Sequence, residues 1–379
     1  MYPALAVLQA LMNDGMHEKD GDSIRPSAGD LRLLWIGGTG GMEEQLVKQA
    51  GIPFEAIPAA GVHGVGWRAL PGNSVRLGKG FLAARRILRS FKPDVLFFTG
   101  GYVAVPVALA GRIPGRGYPR PRSLLYIPDI EPGLALKSLA RFADRIAVTT
   151  PGSQAYLNKN DSVVVTGYPT RSGLTNWSPE RARQALGLGA DLPVLLVFGG
   201  SKGSRSINRA TWSVLADLLA EVQVLHITGQ LDWPEVDSVV HGLSDSLPGE
   251  LVGRYQPYAF LHEKMGAALA AADLALCRAG ASTLGELPLF GLPAILVPYP
   301  FAWRYQQVNA QYLADRGAAA IIQDADLPQQ LLPVVRDLIR NATKRGQMRS
   351  AMLSLAEPDA ARLIADQLFD LSAEGGGRL

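Results

Sequence analysis

The chain has 379 residues, of which 47% are hydrophobic and 19% charged, and a formal net charge of +3. It is longer than one hydrophobic core ordinarily supports, so two domains are expected, and the balance excludes a disordered or membrane-spanning chain. A single cysteine, Cys277, excludes an internal disulfide framework, and the five histidines lack the spacing of a structural metal site. No apolar run approaches the roughly 20 residues that cross a bilayer, and no basic leader or cleavage site follows Met1, so a cytoplasmic address is expected.

The chain opens on a helix-like stretch at 2–11, without the strand and Gly-rich turn that normally begin a doubly wound domain. A polar loop is expected over 13–30. From there short apolar runs alternate with helical patterns, the signature of parallel α/β units. Strands are expected at 31–36, 95–99, 123–127, 145–149 and 162–165, then at 193–198, 222–227, 251–254, 274–277 and 294–297. Each set suffices for one doubly wound sheet. Turn formers at 167–179 suggest a linker. The expected domains are 1–166 and 167–356, with a helix at 357–371 packed back on the first and a flexible tail at 372–379.

Charge is unevenly spread. No acid occurs between Glu55 and Asp94, whereas Arg68, Arg76, Lys79, Arg85, Arg86, Arg89 and Lys92 are basic. Arg112, Arg116, Arg120 and Arg122 follow before Asp129, so the N-terminal half carries a positive field. Phe81, Ala84, Leu88 and Phe91 recur at helical spacing and should face a core. Arg85, Arg86 and Arg89 then point outward, with Trp67, Leu70 and Leu77 nearby. The plain reading is a solvated basic face. The sharper one is docking on anionic lipid, at about 1 kcal/mol per basic residue. Lipid is favoured over nucleic acid because no stacking platform accompanies the charge.

Three places could carry chemistry. Gly199-Gly200-Ser201-Lys202-Gly203-Ser204 joins a strand to a helix, where glycines let backbone approach a phosphate and helix N–H groups face it. It matches neither a Walker loop nor a dinucleotide fingerprint, and many such turns are Gly-rich for packing. Glu286 completes Thr283-Leu284-Gly285-Glu286, a capping-box pattern, but a carboxylate can also accept two vicinal ribose hydroxyls. Arg171, after Gly167-Tyr168-Pro169, is either a surface ion pair or a fork for a diphosphate.

The block Cys277-Arg278-Ala279-Gly280-Ala281-Ser282-Thr283-Leu284-Gly285-Glu286-Leu287, with Gly291-Leu292-Pro293 and Pro300-Phe301-Ala302-Trp303-Arg304-Tyr305-Gln306-Gln307-Val308-Asn309-Ala310, resembles the donor half of the MurG family. Those bacterial enzymes transfer N-acetylglucosamine from a uridine diphosphate carrier to a lipid-linked acceptor. Tyr2-Pro3-Ala4-Leu5-Ala6-Val7 is similar to the start of the family's first helix. Lys92-Pro93-Asp94 with Gly100-Gly101-Tyr102-Val103-Ala104-Val105-Pro106 is similar to its second Gly-rich loop. Val165-Thr166-Gly167-Tyr168-Pro169-Thr170-Arg171 resembles its Thr-Gly-Asn-Pro-Val-Arg segment, and Phe198-Gly199-Gly200-Ser201-Lys202-Gly203 its donor-phosphate loop. The matches run in order nearly end to end.

The resemblance implies a GT-B fold, two facing doubly wound Rossmann-like domains. It implies Arg171 and Ser201 on the donor diphosphate, Glu286 on the ribose, Gln306 on sugar hydroxyls, and Leu261 bordering the uracil through its backbone. Gly100, Gly101 and Tyr102 would meet the acceptor diphosphate. No cofactor or metal is implied; the substrate is UDP-N-acetylglucosamine and the partner a polyprenyl-diphosphate-linked acceptor. The enzyme would sit peripherally on the cytoplasmic face of the membrane, against an anionic surface. The chain departs from the family pattern in two places. The family's first loop, Gly-Gly-Thr-Gly-Gly-His, would lie just before Tyr2, which leads us to expect coding sequence upstream of Met1. The family's His-Glu-Gln-Asn becomes Tyr126-Ile127-Pro128-Asp129, leaving Asp129 where an asparagine contacts the sugar. Phe260-Leu261-His262-Glu263-Lys264-Met265 is also one residue longer than the common pattern. The catalytic base is unassigned: His63 lies in a Gly-flanked loop, and Asp129 is a positional candidate only. The alternatives are a diacylglycerol-type lipid glycosyltransferase and a non-catalytic nucleotide-sugar-binding protein.

Overall fold

The structure, a computed structural model, describes residues 2–13, 31–40, 43–59, 70–115, 119–158, 162–200, 202–301 and 304–375. His63, Trp67, Arg68, Arg116, Ser201, the side chain of Leu70 and most of the 13–30 loop lie outside the described residues. The chain divides into two compact units, 1–171 with 359–379, and 172–358.

The first unit begins with α1 (Tyr2–Asn13), β1 (Trp35–Gly38), α2 (Glu43–Gln49) and β2 (Phe54–Ile57). It continues with α3 (Leu70–Phe91), β3 (Val95–Phe98), α4 (Ala104–Gly111), β4 (Arg122–Ile127), α5 (Leu134–Ala140), β5 (Arg145–Val148) and β6 (Val163–Val165). All its strand pairs are parallel: β1 with β2, and a sheet of order β3-β4-β5-β6. Its core joins Ile57, Ala84, Leu88, Phe98, Leu125 and Ile146.

The second unit runs through α6 (Pro179–Leu186), β7 (Val194–Phe198), α7 (Arg205–Ser213), α8 (Leu215–Leu219) and β8 (Gln223–Ile227). Then come α9 (Val236–Ser246), α10 (Gly249–Val252), β9 (Tyr255–Tyr258), α11 (Met265–Ala271), β10 (Leu274–Cys277) and α12 (Thr283–Phe290). It ends with β11 (Ala294–Leu296), α13 (Tyr305–Ala314), β12 (Ala319–Ile321), α14 (Leu327–Arg340) and α15 (Ala342–Leu353). A last helix, α16 (Ala360–Glu374), returns to the first unit and packs on α1 and β4. Arg145 holds it through Gln367 at 2.9 Å and Glu374 at 2.7 Å.

Strand order in the second unit is β12-β11-β10-β7-β8-β9, all parallel. Counted from β7 this is 6-5-4-1-2-3, the doubly wound order whose switch point falls between the first and fourth strands, here β7 and β10. Helices cover both faces, so β7, β8 and β10 are buried at every residue; β7 and β10 read as unbroken apolar runs, whereas β8 carries the buried polar residues Gln223 and His226.

Local chemistry sets the element ends. α6 starts on Ser178, whose hydroxyl accepts from the Arg181 N–H, takes Pro179 at its first position, and stops at Gly187 with φ 66°. Both units also register a strand with an aspartate. Asp144, just before β5, accepts from the Ser123 N–H of β4 at 2.8 Å. Asp273, just before β10, accepts from the Val194 N–H of β7 at 2.8 Å.

Several boundaries differ from expectation. The segment 251–254 is not a strand: Pro248 starts the short helix α10, and the strand follows at Tyr255–Tyr258. Pro257 hides it from sequence reading, and the structure tolerates that proline because β9 is an edge strand. Two short edge strands, β2 between Pro53 and Pro58 and the Ala-rich β12, carry too little β signal to be read in advance. The first strand lies at Trp35–Gly38 rather than 31–36, fixed by pairing Trp35 with Phe54.

Candidate functional site at the carboxyl edges of the sheets

Because every paired strand is parallel, the segments that follow the strands of one sheet gather on one edge. In the second unit those segments contain the turn at 199–204, Leu261, Glu286 and Gln306. Ser201 belongs to the same turn and lies outside the described residues.

The turn after β7 is held tightly. Gly203 has φ 78°, and a Cβ there would collide with the Thr228 carbonyl, so only glycine lets the turn lie against the end of β8. That carbonyl is fixed from the other side by a buried chain of hydrogen bonds. Trp212 Nε1 can only donate, and donates to the Tyr255 hydroxyl at 2.9 Å. The hydroxyl proton then goes to His226 Nδ1 at 3.1 Å, so Nε2–H donates to Asn208 Oδ1 at 3.0 Å. Asn208 Nδ2 donates to the Thr228 carbonyl and to Asp232, both at 2.8 Å. Arg205, the first residue of α7, closes the chain on Asp232 at 2.9 Å. Burial keeps His226 neutral, its pKa pushed down to about 3.

The turn after β10 leads into α12. Ser282 caps the helix without a side-chain bond. The capping box between Thr283 and Glu286 does not form, because Thr283 turns its hydroxyl to Gly280 and the Glu286 N–H pairs with the Ser282 carbonyl at 2.8 Å. Glu286 is half-buried in the first turn of α12. Burial, and then the nearby Glu286 carboxylate, push the Cys277 thiol up. Asn309 of α13 is buried and donates to the Ala279 carbonyl at 3.1 Å, tying α13 to the same turn.

Beyond β11, the Tyr299 N–H donates to Gln306 Oε1 at 2.9 Å. Since a backbone amide can only donate, the Gln306 oxygen faces it and the NH₂ group points elsewhere. Leu261 is buried, three residues beyond the end of β9.

In the first unit, Gly100 and Gly101 follow β3 with φ 106° and 88°, and Tyr102 beside them is half exposed. Asp129 follows β4 and is half-buried. Burial pushes the Tyr126 hydroxyl well up, with Asp129 adding to it, and this hydroxyl pairs with Thr149 at 2.7 Å. Arg171 lies beyond β6 with its guanidinium 4.9 Å from the centre of the Tyr2 ring. Asp129 and Arg171 therefore belong to the first unit, whereas Leu261, Glu286 and Gln306 belong to the second. Among the described residues no group of three or more His, Cys, Asp or Glu side chains is placed to hold a metal ion.

Residues 1–148 match the glycosyltransferase family 28 N-terminal domain, and residues 194–364 match its C-terminal domain. A relative from Roseiflexus sp. (strain RS-1) is 38% identical over 96% of this chain and 91% of its own. It is named UDP-N-acetylglucosamine--N-acetylmuramyl-(pentapeptide) pyrophosphoryl-undecaprenol N-acetylglucosamine transferase. A relative of the same name from Desulforudis audaxviator (strain MP104C) is 37% identical over 99% of this chain and 96% of its own. The crystal structure of Acinetobacter baumannii MurG superposes with TM-score 0.69 at 25% identity, covering 97% of this chain and 95% of that one. The chain belongs to the MurG family of glycosyltransferases.

As a MurG-family glycosyltransferase it has the GT-B fold, with one parallel α/β unit for each family 28 domain. Two features of the second unit are not legible in the sequence. The buried chain from Trp212 to Asp232 is one, since its members come from α7, β8, β9 and the loop after β8. Arg278 is the other. A cation set directly between Cys277, Ala279 and Gly280 in an otherwise apolar run needs a buried partner, and that was the available signal.

Proposed function

We propose that the chain transfers N-acetylglucosamine from UDP-N-acetylglucosamine to N-acetylmuramyl-pentapeptide pyrophosphoryl-undecaprenol, converting lipid I to lipid II with inversion at the anomeric carbon. One observation carries the donor half. The helices that start beyond the neighbouring strands β7 and β10, at the switch point of the six-stranded sheet, are α7 and α12. Their N-terminal N–H groups and positive dipole ends suit a diphosphate. Glu286 in the first turn of α12 carries a half-buried carboxylate that suits the two ribose hydroxyls. The acceptor half is supported by the names of full-length relatives.

In this reading Arg171 pairs with the donor diphosphate, Ser201 donates a hydrogen bond to it, and Leu261 borders the uracil. Gln306 and Asp129 contact the sugar, and Gly100, Gly101 and Tyr102 receive the acceptor diphosphate. An acceptor hydroxyl attacks the anomeric carbon, and the bond to uridine diphosphate breaks. Charge growing on the leaving diphosphate meets fixed N–H groups and Arg171, which need no reorganisation as the bond breaks. A base for the attacking hydroxyl would add about 10²–10⁴-fold. Asp129 can accept that proton or a sugar hydroxyl but, unlike the family's asparagine, cannot donate when ionised.

The same proposal puts the enzyme peripherally on the cytoplasmic membrane face. No described helix is long and apolar enough to cross a membrane. Support for docking comes from α3, where Ala84 and Leu88 are buried, Arg86 and Arg89 are exposed, and Val75 and Leu82 are 59% and 66% exposed. Leu77 is half-buried, and Arg85 folds back to the Ile113 carbonyl at 3.3 Å, so the outward face is narrower than the sequence suggests.

The test is transfer of labelled N-acetylglucosamine from its UDP carrier to lipid I, with diacylglycerol as competing acceptor. Product on lipid I is expected. Product on diacylglycerol and none on lipid I overturns the acceptor assignment. Donor binding with no turnover on either would return the chain to a nucleotide-sugar-binding role.

A further inference from the structure

Arg278 follows β10 at the switch point and is only 10% exposed. Its Nη1 lies 2.5 Å from Asp324 Oδ1, beyond β12, and donates to the carbonyls of Val297 and Pro298 at 3.2 and 3.4 Å. Its Nη2 donates at 2.7 Å to the Ser206 hydroxyl, in the first turn of α7. Ser206 in turn donates to Asp324 at 2.7 Å, which closes a triangle of three side chains. The guanidinium also lies 5.2 Å from the centre of the Tyr299 ring. One side chain thus joins the segments that follow β7, β10, β11 and β12.

With Asp324 against it, Arg278 has little net charge to offer a diphosphate. Its bonds lead instead to the turn after β11. That turn is Val297-Pro298-Tyr299-Pro300, in which two prolines fix their own φ and restrict the residues before them. Bonds to the Val297 and Pro298 carbonyls, with the guanidinium over the Tyr299 ring, orient a stiff turn from beneath. The turn ends in the Tyr299 N–H that sets the Gln306 amide.

We infer that Arg278 is a positioning residue for the transferred sugar, acting through the Tyr299 turn to present the Gln306 NH₂ group as a hydrogen-bond donor to sugar hydroxyls. This rests on the proposed role of Gln306 as a sugar contact. Lysine cannot replace Arg278, because a single ammonium lacks the fork of donors that reaches Asp324, Ser206 and two carbonyls together.

The experiment compares wild type with Arg278→Lys, Tyr299→Leu, Gln306→Ala and the two double variants containing Gln306→Ala, after thermal unfolding confirms a folded protein. Kd is measured for UDP and for UDP-N-acetylglucosamine, and kcat/KM for transfer to lipid I. Each single variant should lower kcat/KM by about 10-fold or more while leaving Kd for UDP, which has no sugar, within about 3-fold. Each double variant should resemble Gln306→Ala alone, because a positioning residue has nothing left to position. Losses that multiply in the doubles overturn the positioning role and leave Gln306 as a sugar contact. A Gln306→Ala variant as active as wild type overturns the sugar assignment and the inference with it. Tyr299→Leu tests the same relay without leaving a buried charge unpaired, so poor folding of the Arg278 variant does not block the result.

Discussion

Thr283 sends its hydroxyl to the carbonyl oxygen of Gly280 at 2.6 Å and its backbone N–H to the same atom at 3.0 Å. A capping box would require that hydroxyl on the Glu286 N–H and the Glu286 carboxylate on the Thr283 N–H. Instead the Thr283 N–H is on the Gly280 carbonyl and the Glu286 N–H is on the Ser282 carbonyl at 2.8 Å. On the proposed ribose contact, Glu286→Gln should weaken UDP-N-acetylglucosamine binding by about 10- to 100-fold, the worth of one or two hydrogen bonds to a charged acceptor. The thermal midpoint should stay near wild type. Calorimetry and thermal unfolding check the pair, and unchanged affinity would remove Glu286 from the ribose.

His226 predicts an acid limb in stability. Its native pKa of about 3 lies below the ordinary 6.5 because the ring is fully buried. Below pH 6.5 the unfolded chain takes up a proton that the native chain refuses, so stability falls as pH drops towards 3. The steepest slope from this one group is about 1.4 kcal/mol per pH unit. His226→Gln, which keeps an N–H donor for Asn208, loses that slope. Urea unfolding at pH 7, 6 and 5 should show the gap between wild type and variant narrowing in acid. A constant gap would mean that His226 is not held neutral.

Asp273 holds the first N–H of β7 at 2.8 Å and Arg183 at 2.7 Å. Asp273→Ala leaves a fully buried strand residue without its acceptor and should cost about 2–4 kcal/mol in urea unfolding. Asp144→Ala should do the same in the first unit, where Ser123 loses its partner. A cost below about 0.5 kcal/mol at either position would show that the strand register does not depend on the carboxylate.

Docking through α3 predicts dependence on charge. Arg86→Ala with Arg89→Ala should weaken binding to phosphatidylglycerol vesicles by about 30-fold at low salt, at about 1 kcal/mol per residue. Binding to phosphatidylcholine vesicles should hardly change, and the difference should shrink as salt rises. Vesicle co-sedimentation reads both. Equal retention of wild type and variant on anionic vesicles would move the contact away from α3.

Much of the architecture was legible in the sequence. The fully buried strands β7 and β10 announce themselves as apolar runs bounded by turn residues, since helices cover both their faces. The strands that escaped reading, β2, β9 and β12, are short edge strands or contain proline, where the periodic signal is weakest. At the site, Glu286 and Gln306 stood out because the quoted blocks resemble a known donor half. Arg278 did not, because its partners are remote in the chain.

The sequence by itself determined the fold class, the order of strand and Gly-rich turn, and the block that names the family. These depend on local propensity and on periodicity within a few residues. Only the tertiary structure decided that Thr283 turns its hydroxyl to Gly280, which tautomer His226 holds, and which side chains meet Arg278. The strand order β12-β11-β10-β7-β8-β9 brings Ser206, Arg278, Tyr299 and Asp324 to one edge of a sheet. Hydrogen bonds act over about 3 Å, so side chains separated by tens of residues acquire partners only after the sheet has ordered the strands that carry them.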